Sequence, residues 1–310
     1  MKKYVIFAPK YSESNGGVIC LHYLAHLINQ QGGEAYLCPI FENFEISKIN
    51  FKRPFLKTLY SKLVDGFRKF HVNESFDNKI LRDLSAIKNN NDWIVIYPEI
   101  TFGNPLGAQH VVRWLLHNPG FHSKKIYYGP NELYFKYHGG FSDFAFLNSV
   151  LSPNSLHLIY YPLHLYNMTH VAPVRTGTAY CLRKGRDREI QHDLTDSILI
   201  DGMRHEEIAA IFKRVKTFIS YDSYTAYSVF AALCGCDSVV LPKAGVTKEA
   251  WYPNVESRYG MAYGFDDLEF ARNTRALLLD KVNKDHEANA SRVAAFIQET
   301  HEFFGDSCSV

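Results

Sequence analysis

Long apolar runs are missing from this 310-residue chain. No stretch approaches the roughly twenty consecutive apolar residues of a membrane-crossing helix. The apolar run at residues 4–8, behind Met1, Lys2 and Lys3, is too short for a secretory leader and breaks at Pro9-Lys10, so it reads as a first strand. An excess of charge is missing too. Lys and Arg number 34 and Asp and Glu 32, a formal net charge of +2. That balance excludes a bulk electrostatic affinity for nucleic acid, and an acidic ligand needs a local site. The six cysteines (Cys20, Cys38, Cys181, Cys234, Cys236 and Cys308) show no Cys-x-x-Cys spacing and no small secreted framework. Most lie in apolar patterns, where a free thiol behaves as a small hydrophobe, and a reducing cytoplasm is the expected compartment. The Gly-x-Gly-x-x-Gly fingerprint is absent, which sets nicotinamide dinucleotides aside. No internal repeat or low-complexity segment is present.

Apolar residues make up 46% of the chain and aromatics 15%, enough for two α/β cores of roughly 150 residues each. Strand 4–8, the loop Ser14-Asn15-Gly16-Gly17, an amphipathic helix on Val18, Leu21, Leu24, Ala25 and Ile28, and strand 34–39 make a βαβ unit. Such a unit implies a parallel sheet buried on both faces. Further strands are expected at 93–97, 125–128, 143–147 and 157–161, with a helix over about 105–116. Periodicity fades around 167–175, where Pro173 stands, and the domain boundary is placed there. The pattern then restarts with strands at 178–182 and 197–200, a helix over 205–214, a strand at 217–220, a small-residue helix closed by Gly235 and a strand ending at Pro242. A helical tail runs over about 269–304. The expected division is 1–170, 171–290 and a last helix over 291–310 that packs back on the first domain.

Chemistry-bearing residues gather where strands end. Asp222-Ser223-Tyr224-Thr225 puts hydroxyls and backbone N–H groups at a helix start, a seat for phosphate. Gly16 and Gly17 allow a backbone to approach a ligand closely, or form a plain tight turn. Glu99 and Glu132 each follow a strand and a turn. The carboxyl ends of parallel strands face the ligand crevice, so either is placed for acid–base work, Glu99 first, while Asp143 is a weaker third. A cap for the next helix is the plain reading of Glu99. Arg113 and His117 read as structural. Arg183-Lys184-Gly185-Arg186 ends strand 178–182 with positive charge, or is a solvated basic turn, and Asp201 stands where it would line a base pocket. The segment 48–71 is basic and aromatic, a composition suited to anionic lipid headgroups or to a solvated helix face.

The run from Asp222 through Ala231-Ala232-Leu233-Cys234-Gly235-Cys236 to Val239 and Pro242 resembles the donor half of GT-B glycosyltransferases. In many of those enzymes an acid follows a strand, and a helix ending in a small residue and Gly leads to a strand closing near Pro. The second acid of the retaining enzymes, eight residues after the first, is replaced here by Phe230. The resemblance implies two Rossmann-like doubly wound domains, the last helix crossing back to the first, and a nucleotide-sugar donor near Gly16, Gly17, Asp222, Ser223, Tyr224 and Thr225. It assigns the donor diphosphate to Arg183 and Lys184 and makes Glu99 or Glu132 the base of an inverting transfer. The chain lacks the Asp-x-Asp pair of the metal-dependent class, so no metal or cofactor is expected. The acceptor is expected to be a glycan or lipid-linked glycan of bacterial lipopolysaccharide or capsule assembly, reached from the cytoplasm or from the inner face of the membrane. A sugar-nucleotide epimerase of the same fold and a non-catalytic binding scaffold are the alternatives.

Overall fold

The computed structural model describes residues 2–39, 70–88 and 90–305. Residues 48–69 of the expected membrane-docking segment, and Cys308, lie outside the described residues. The chain forms two compact units, 1–160 with 287–310, and 161–286. The expected boundaries stood at 170 and 290.

In the first unit, β1 (Lys3–Ala8) and β4 (Trp93–Pro98) pair side by side at the centre of a parallel sheet. Among the described residues the order is β3-β2-β1-β4-β5-β6-β7, with β2 at Ala35–Pro39, β3 at Lys79–Ile80, β5 at His110–Leu115, β6 at Leu133–Lys136 and β7 at Val150–Ser155. Alternation sorts the central strands between two cores. Tyr4, Ile6, Ile94, Ile96, Trp114 and Phe135 face α1 (Gly16–Gln30) and the end of the last helix. Val5, Phe7, Val95, Tyr97 and Val111 face the other way, onto Leu81, Ile87 and Ala108.

Three strands differ from expectation. Residues 110–115 are a strand, where a helix over 105–116 is predicted. Gly107 at φ +62° breaks any helix begun at Pro105, and His-Val-Val-Arg-Trp-Leu is the β-branched and aromatic composition a buried strand takes. The apolar residues at 125–128 and 143–147 fall in irregular connections, and the strands lie just beyond them, at 133–136 and 150–155. Asn131, Leu147 and Asn148 all have positive φ, which reverses the chain immediately before those strands. Residues 157–161, expected as a strand, join no sheet, and Asn289 pairs with both backbone groups of Ile159 instead. The connections from β4 to β7 contain no α-helix, unlike the usual parallel crossover.

The second unit has a parallel sheet ordered β12-β11-β10-β8-β9, built from β8 (Thr178–Cys181), β9 (Ser197–Leu199), β10 (Thr217–Ser220), β11 (Asp237–Val240) and β12 (Met261–Tyr263). Helices α2 (His205–Phe212) and α3 (Tyr227–Leu233) pack on one face with Ala179, Cys181 and Phe218. Ile219, Tyr221, Val239 and Leu241 form the opposite face with Ala262 and Ala271. After the short α4 (Lys248–Trp251), helix α5 (Leu268–Phe304) places Leu278 and Val282 in the second unit's core and Val293 and Phe296 in the first's. The chain is thus α/β, with two Rossmann-like parallel sheets and a final helix that returns to the first unit.

Candidate functional site

Each sheet has one place where successive strands depart in opposite directions: between β1 and β4 in the first unit, and between β8 and β10 in the second. Ligands of open parallel sheets bind beyond the carboxyl ends of strands at such a switch point. The candidate residues concentrate at these two places.

In the second unit, β8 runs through Leu182 into a 3₁₀ turn, Arg183–Gly185. Asp201 builds this turn, accepting the N–H of Arg183 at 2.8 Å and of Leu182 at 3.3 Å. Its carboxylate is thereby engaged with backbone. Arg183 has φ +44°, a left-handed conformation unfavourable to a side chain with a Cβ. That turn aims its guanidinium across the carboxyl end of β10, 4.0 Å from Asp222 Oδ2 and 5.2 Å from the centre of the Tyr227 ring. Lys184 is exposed. Gly185 lies against the backbone of β10: a Cβ there would stand 2.1 Å from the Tyr221 carbonyl oxygen.

The turn after β10 is tied down from several sides. Ser220 Oγ donates to the Asp222 carbonyl at 2.6 Å, and Asp222 Oδ1 accepts the Tyr224 N–H at 3.1 Å. Thr225 Oγ1 accepts the Tyr227 N–H at 3.3 Å, and Trp251 Nε1 donates to the Ser223 carbonyl at 2.6 Å. Helix α3 begins only at Tyr227, without a side-chain cap, so Asp222 to Thr225 form a turn ahead of the helix rather than its first turn. A local Asx-type turn takes the backbone out of the helical path at that point. The phosphate-seat residues are therefore brought together with Arg183 by the turn and the strand ends, and little by a helix dipole.

Two residues of this region escaped the sequence reading. Arg188 donates to the carbonyls of Tyr221 (2.9 Å), Leu241 (3.1 Å) and Pro242 (2.6 Å), clamping the ends of β10 and β11. Its place in the same basic run as Arg183 was the available signal. His192 sits between the Tyr221 hydroxyl at Nδ1 (2.8 Å) and Ser197 Oγ at Nε2 (3.0 Å), and burial lowers its pKa. Phe230, where the retaining enzymes have their second acid, is a core residue stacked on Tyr166 with ring centres 4.3 Å apart.

In the first unit, β1 leads to the N-terminus of the fifteen-residue α1 and β4 leads to Glu99. Asn15 caps α1 by accepting the Val18 N–H at 3.2 Å, ahead of which stand Gly16 and Gly17. A Cβ on Gly17 would lie 3.6 Å from Leu116 Cδ1, and the Leu116 N–H donates to Glu99 Oε2 at 3.2 Å. Gly17 and Glu99 are thus neighbours across one side chain. Glu99 is only 6% exposed. Burial pushes its carboxyl up to about 7, against its own N–H and those of Leu116 and His117, which favour the ionised form. It caps no helix, since none follows it before β5.

Glu132 has a different task. It forms a bidentate pair with Arg113, Nε to Oε2 at 2.9 Å and Nη2 to Oε1 at 2.6 Å, and also accepts the Gly129 N–H at 2.9 Å. Both side chains are buried. Arg113 donates further to the carbonyls of Thr101 (2.7 Å) and Gly103 (2.9 Å) and lies between the rings of Tyr97 and Tyr128. Tyr128 in turn donates its hydroxyl to the Glu99 carbonyl at 2.7 Å. This node replaces the missing crossover helices: it holds the loop after β4 to the turn before β6. A carboxylate so fully engaged is no free base, and Arg113 is structural on a strand rather than on the helix predicted for it. Asp143 is exposed and paired to Lys136 at 2.5 Å. Among the described residues no three His, Cys, Asp or Glu side chains converge as metal ligands, and no helix is long and apolar enough to cross a membrane.

No protein-family model and no curated protein matches the chain. Among solved structures, the crystal structure of Acinetobacter baumannii MurG is similar at 10% identity and a TM-score of 0.32, over 97% of this chain and 100% of that one. Similarity at that level carries nothing about chemistry in this chain.

Proposed function

We propose that the protein is a GT-B-type glycosyltransferase that moves a sugar from a nucleotide-sugar donor to a glycan or lipid-linked glycan acceptor by inversion, without a metal. The observation that carries this reading is the pair of switch points. One presents Arg183, exposed Lys184 and a hydroxyl-rich turn, and the other a glycine-paired helix start and a buried carboxyl that titrates near pH 7. A nucleoside diphosphate needs the first set: the guanidinium, the ammonium and the Ser223 and Thr225 hydroxyls meet charge that grows on the leaving phosphate. An attacking hydroxyl needs the second. Glu99 takes the acceptor proton as the acceptor oxygen bonds to the anomeric carbon, and the bond from that carbon to the phosphate oxygen breaks to release the nucleoside diphosphate. The acceptor belongs to bacterial surface-polysaccharide assembly, and the work is done in the cytoplasm or at the inner membrane face.

Phe230 favours one other reading, a scaffold that binds nucleotide without turnover, because a core ring occupies the place of a donor-binding acid. Lys184→Ala separates the two. The side chain is exposed, so folding persists; turnover and the thermal shift induced by a nucleoside diphosphate should both fall, the binding by about tenfold or more for a lost charge-assisted contact. Unchanged nucleotide binding in this variant removes the phosphate assignment. Binding lost with no turnover in the wild type, across nucleotide-sugar donors, leaves the scaffold.

A further inference from the structure

In the second unit the four-residue α4 ends at Trp251, against the turn from Asp222 to Thr225. Trp251 is 3% exposed and packs with Val240 and Met261. Its indole stacks on Tyr263, ring centres 4.8 Å apart and planes 19° from parallel, and the Tyr252 ring lies 4.7 Å away. Tyr263 is itself pinned: its hydroxyl donates to the Val246 carbonyl at 2.9 Å and accepts the Lys243 N–H at 3.2 Å. The indole is therefore fixed from β12 and from the loop after β11.

Two bonds run from this residue to the turn. Nε1 donates to the Ser223 carbonyl at 2.6 Å, and the Trp251 carbonyl accepts the Tyr224 hydroxyl at 3.4 Å. The other end of the same peptide unit, the Tyr224 N–H, donates to Asp222 Oδ1 at 3.1 Å. One peptide plane is thus held at both its C=O and its N–H. The carbonyl oxygen is the negative end of the peptide dipole, so a peptide free to swing it toward a bound anion opposes that anion. The helix does not need the Nε1 bond for itself, since Thr247 Oγ1 caps it by accepting the Ala250 N–H at 3.2 Å and Lys248 pairs with Asp267 at 3.5 Å.

We infer that Trp251 is a positioning residue for the donor diphosphate: its indole N–H occupies the Ser223 carbonyl and fixes the Ser223–Tyr224 peptide, so that the Ser223 hydroxyl is what the turn presents to a phosphate oxygen. Trp251 touches no substrate and acts through a turn 28 residues away along the chain. A rigid support of this kind serves an anion seat better than the turn alone, because the donors are already aimed before the ligand arrives. The inference rests on the reading of that turn as the diphosphate seat, and it is observable by binding, without turnover.

The test compares Trp251→Phe with Met261→Ala in the full chain. The first keeps an aromatic ring against Tyr263 and removes the N–H; the second opens the same cluster and leaves the N–H in place. Benzothienylalanine in place of Trp251, an isostere with sulfur where the indole has N–H, repeats the first change at constant shape and covers a Trp251→Phe chain that fails to fold. Affinity for nucleoside diphosphates is read by titration calorimetry well below each melting point, so that only folded protein is measured. The expected result is about tenfold weaker binding without the N–H, the scale of one neutral hydrogen bond, and wild-type binding in Met261→Ala although it melts lower. Wild-type binding without the N–H overturns the positioning role and leaves the diphosphate seat standing. Equal losses in the N–H-deleted and Met261→Ala chains make Trp251 a core residue only and overturn the role as well. A wild-type chain that binds no nucleoside diphosphate overturns the seat itself, and the positioning role with it.

Discussion

At Glu99 the proposed role as base and the demands of folding conflict. Its folded pKa of about 7 stands above the ordinary 4.5 because burial disfavours the charged form. The folded state therefore holds the proton more tightly than the unfolded chain. The resulting loss of stability is absent below about pH 4.5, grows as pH rises through the interval, and is complete above about 7, on the order of 3 kcal/mol. A general base must be ionised, so kcat/KM should climb with pH to a plateau, with its midpoint near 7. Glu99→Gln should then melt higher than the wild type at pH 8 while turnover drops by about two to four orders of magnitude. A melting point that does not rise at pH 8, read by calorimetry at pH 5 and 8, removes the burial argument. Gly185 makes the opposite kind of prediction. With the Tyr221 carbonyl 2.1 Å from any Cβ, Gly185→Ala displaces the Arg183 turn or β10. Denaturant titration should show a loss of about 1–3 kcal/mol, with weaker nucleotide binding in the fraction that folds.

At the scale of elements, the first unit joins β4, β5, β6 and β7 without helices, and the Arg113–Glu132 pair takes over the work of holding those connections. Four donor contacts from one guanidinium, two of them to carbonyls of the Glu99 loop, leave no unmatched charge. Removing one partner strands the other in a dry environment: Arg113→Met alone should cost about 3–5 kcal/mol. Arg113→Met combined with Glu132→Leu should cost clearly less than the two single changes added, because no buried charge then lacks its partner. A double-mutant cycle from urea midpoints reads the coupling, and strict additivity would show the pair to be solvated. In the same cycle the pH midpoint of turnover should move, since Arg113 and Tyr128 fix the backbone from which Glu99 projects.

On the whole-molecule scale, α5 belongs to both cores. Phe296 packs against Tyr4 and Phe135, with ring centres 5.9 and 4.9 Å away, and the Tyr4 hydroxyl meets Thr300 Oγ1 at 2.7 Å. Asn289 is fully buried and pairs both ways with the backbone of Ile159. The second unit's main core, by contrast, draws among the described residues on positions between Tyr161 and Val282. Ending the chain at residue 286 should therefore abolish the thermal transition of the first unit, as a lost core Phe alone costs about 3–5 kcal/mol. The second unit should keep its transition and its nucleotide-induced shift. Two surviving transitions in calorimetry would mean that α5 adds nothing essential to the first core.

Local chemistry was enough to make several features legible. The βαβ opening, the strands 178–181, 217–220 and 237–240 with the small-residue helix between the last two, and the tail helix all follow from periodicity, glycine stops and β-branched runs. So does the placing of Arg183 and Asp222 at strand ends of the second sheet and of Glu99 at a strand end of the first, because each parallel sheet sends the carboxyl ends of its strands to one edge. What needed the tertiary structure were the non-local pairings. Residues 110–115 have apolar spacing compatible with a helix, and become a strand because β4 and β6 offer it hydrogen bonds on both sides. Glu99 and Glu132 look alike in sequence, each an acid after a strand and a turn. Only the arrival of Arg113 from a neighbouring strand, nineteen residues from Glu132, makes one a structural counter-ion. Burial with backbone donors alone leaves the other poised to exchange a proton.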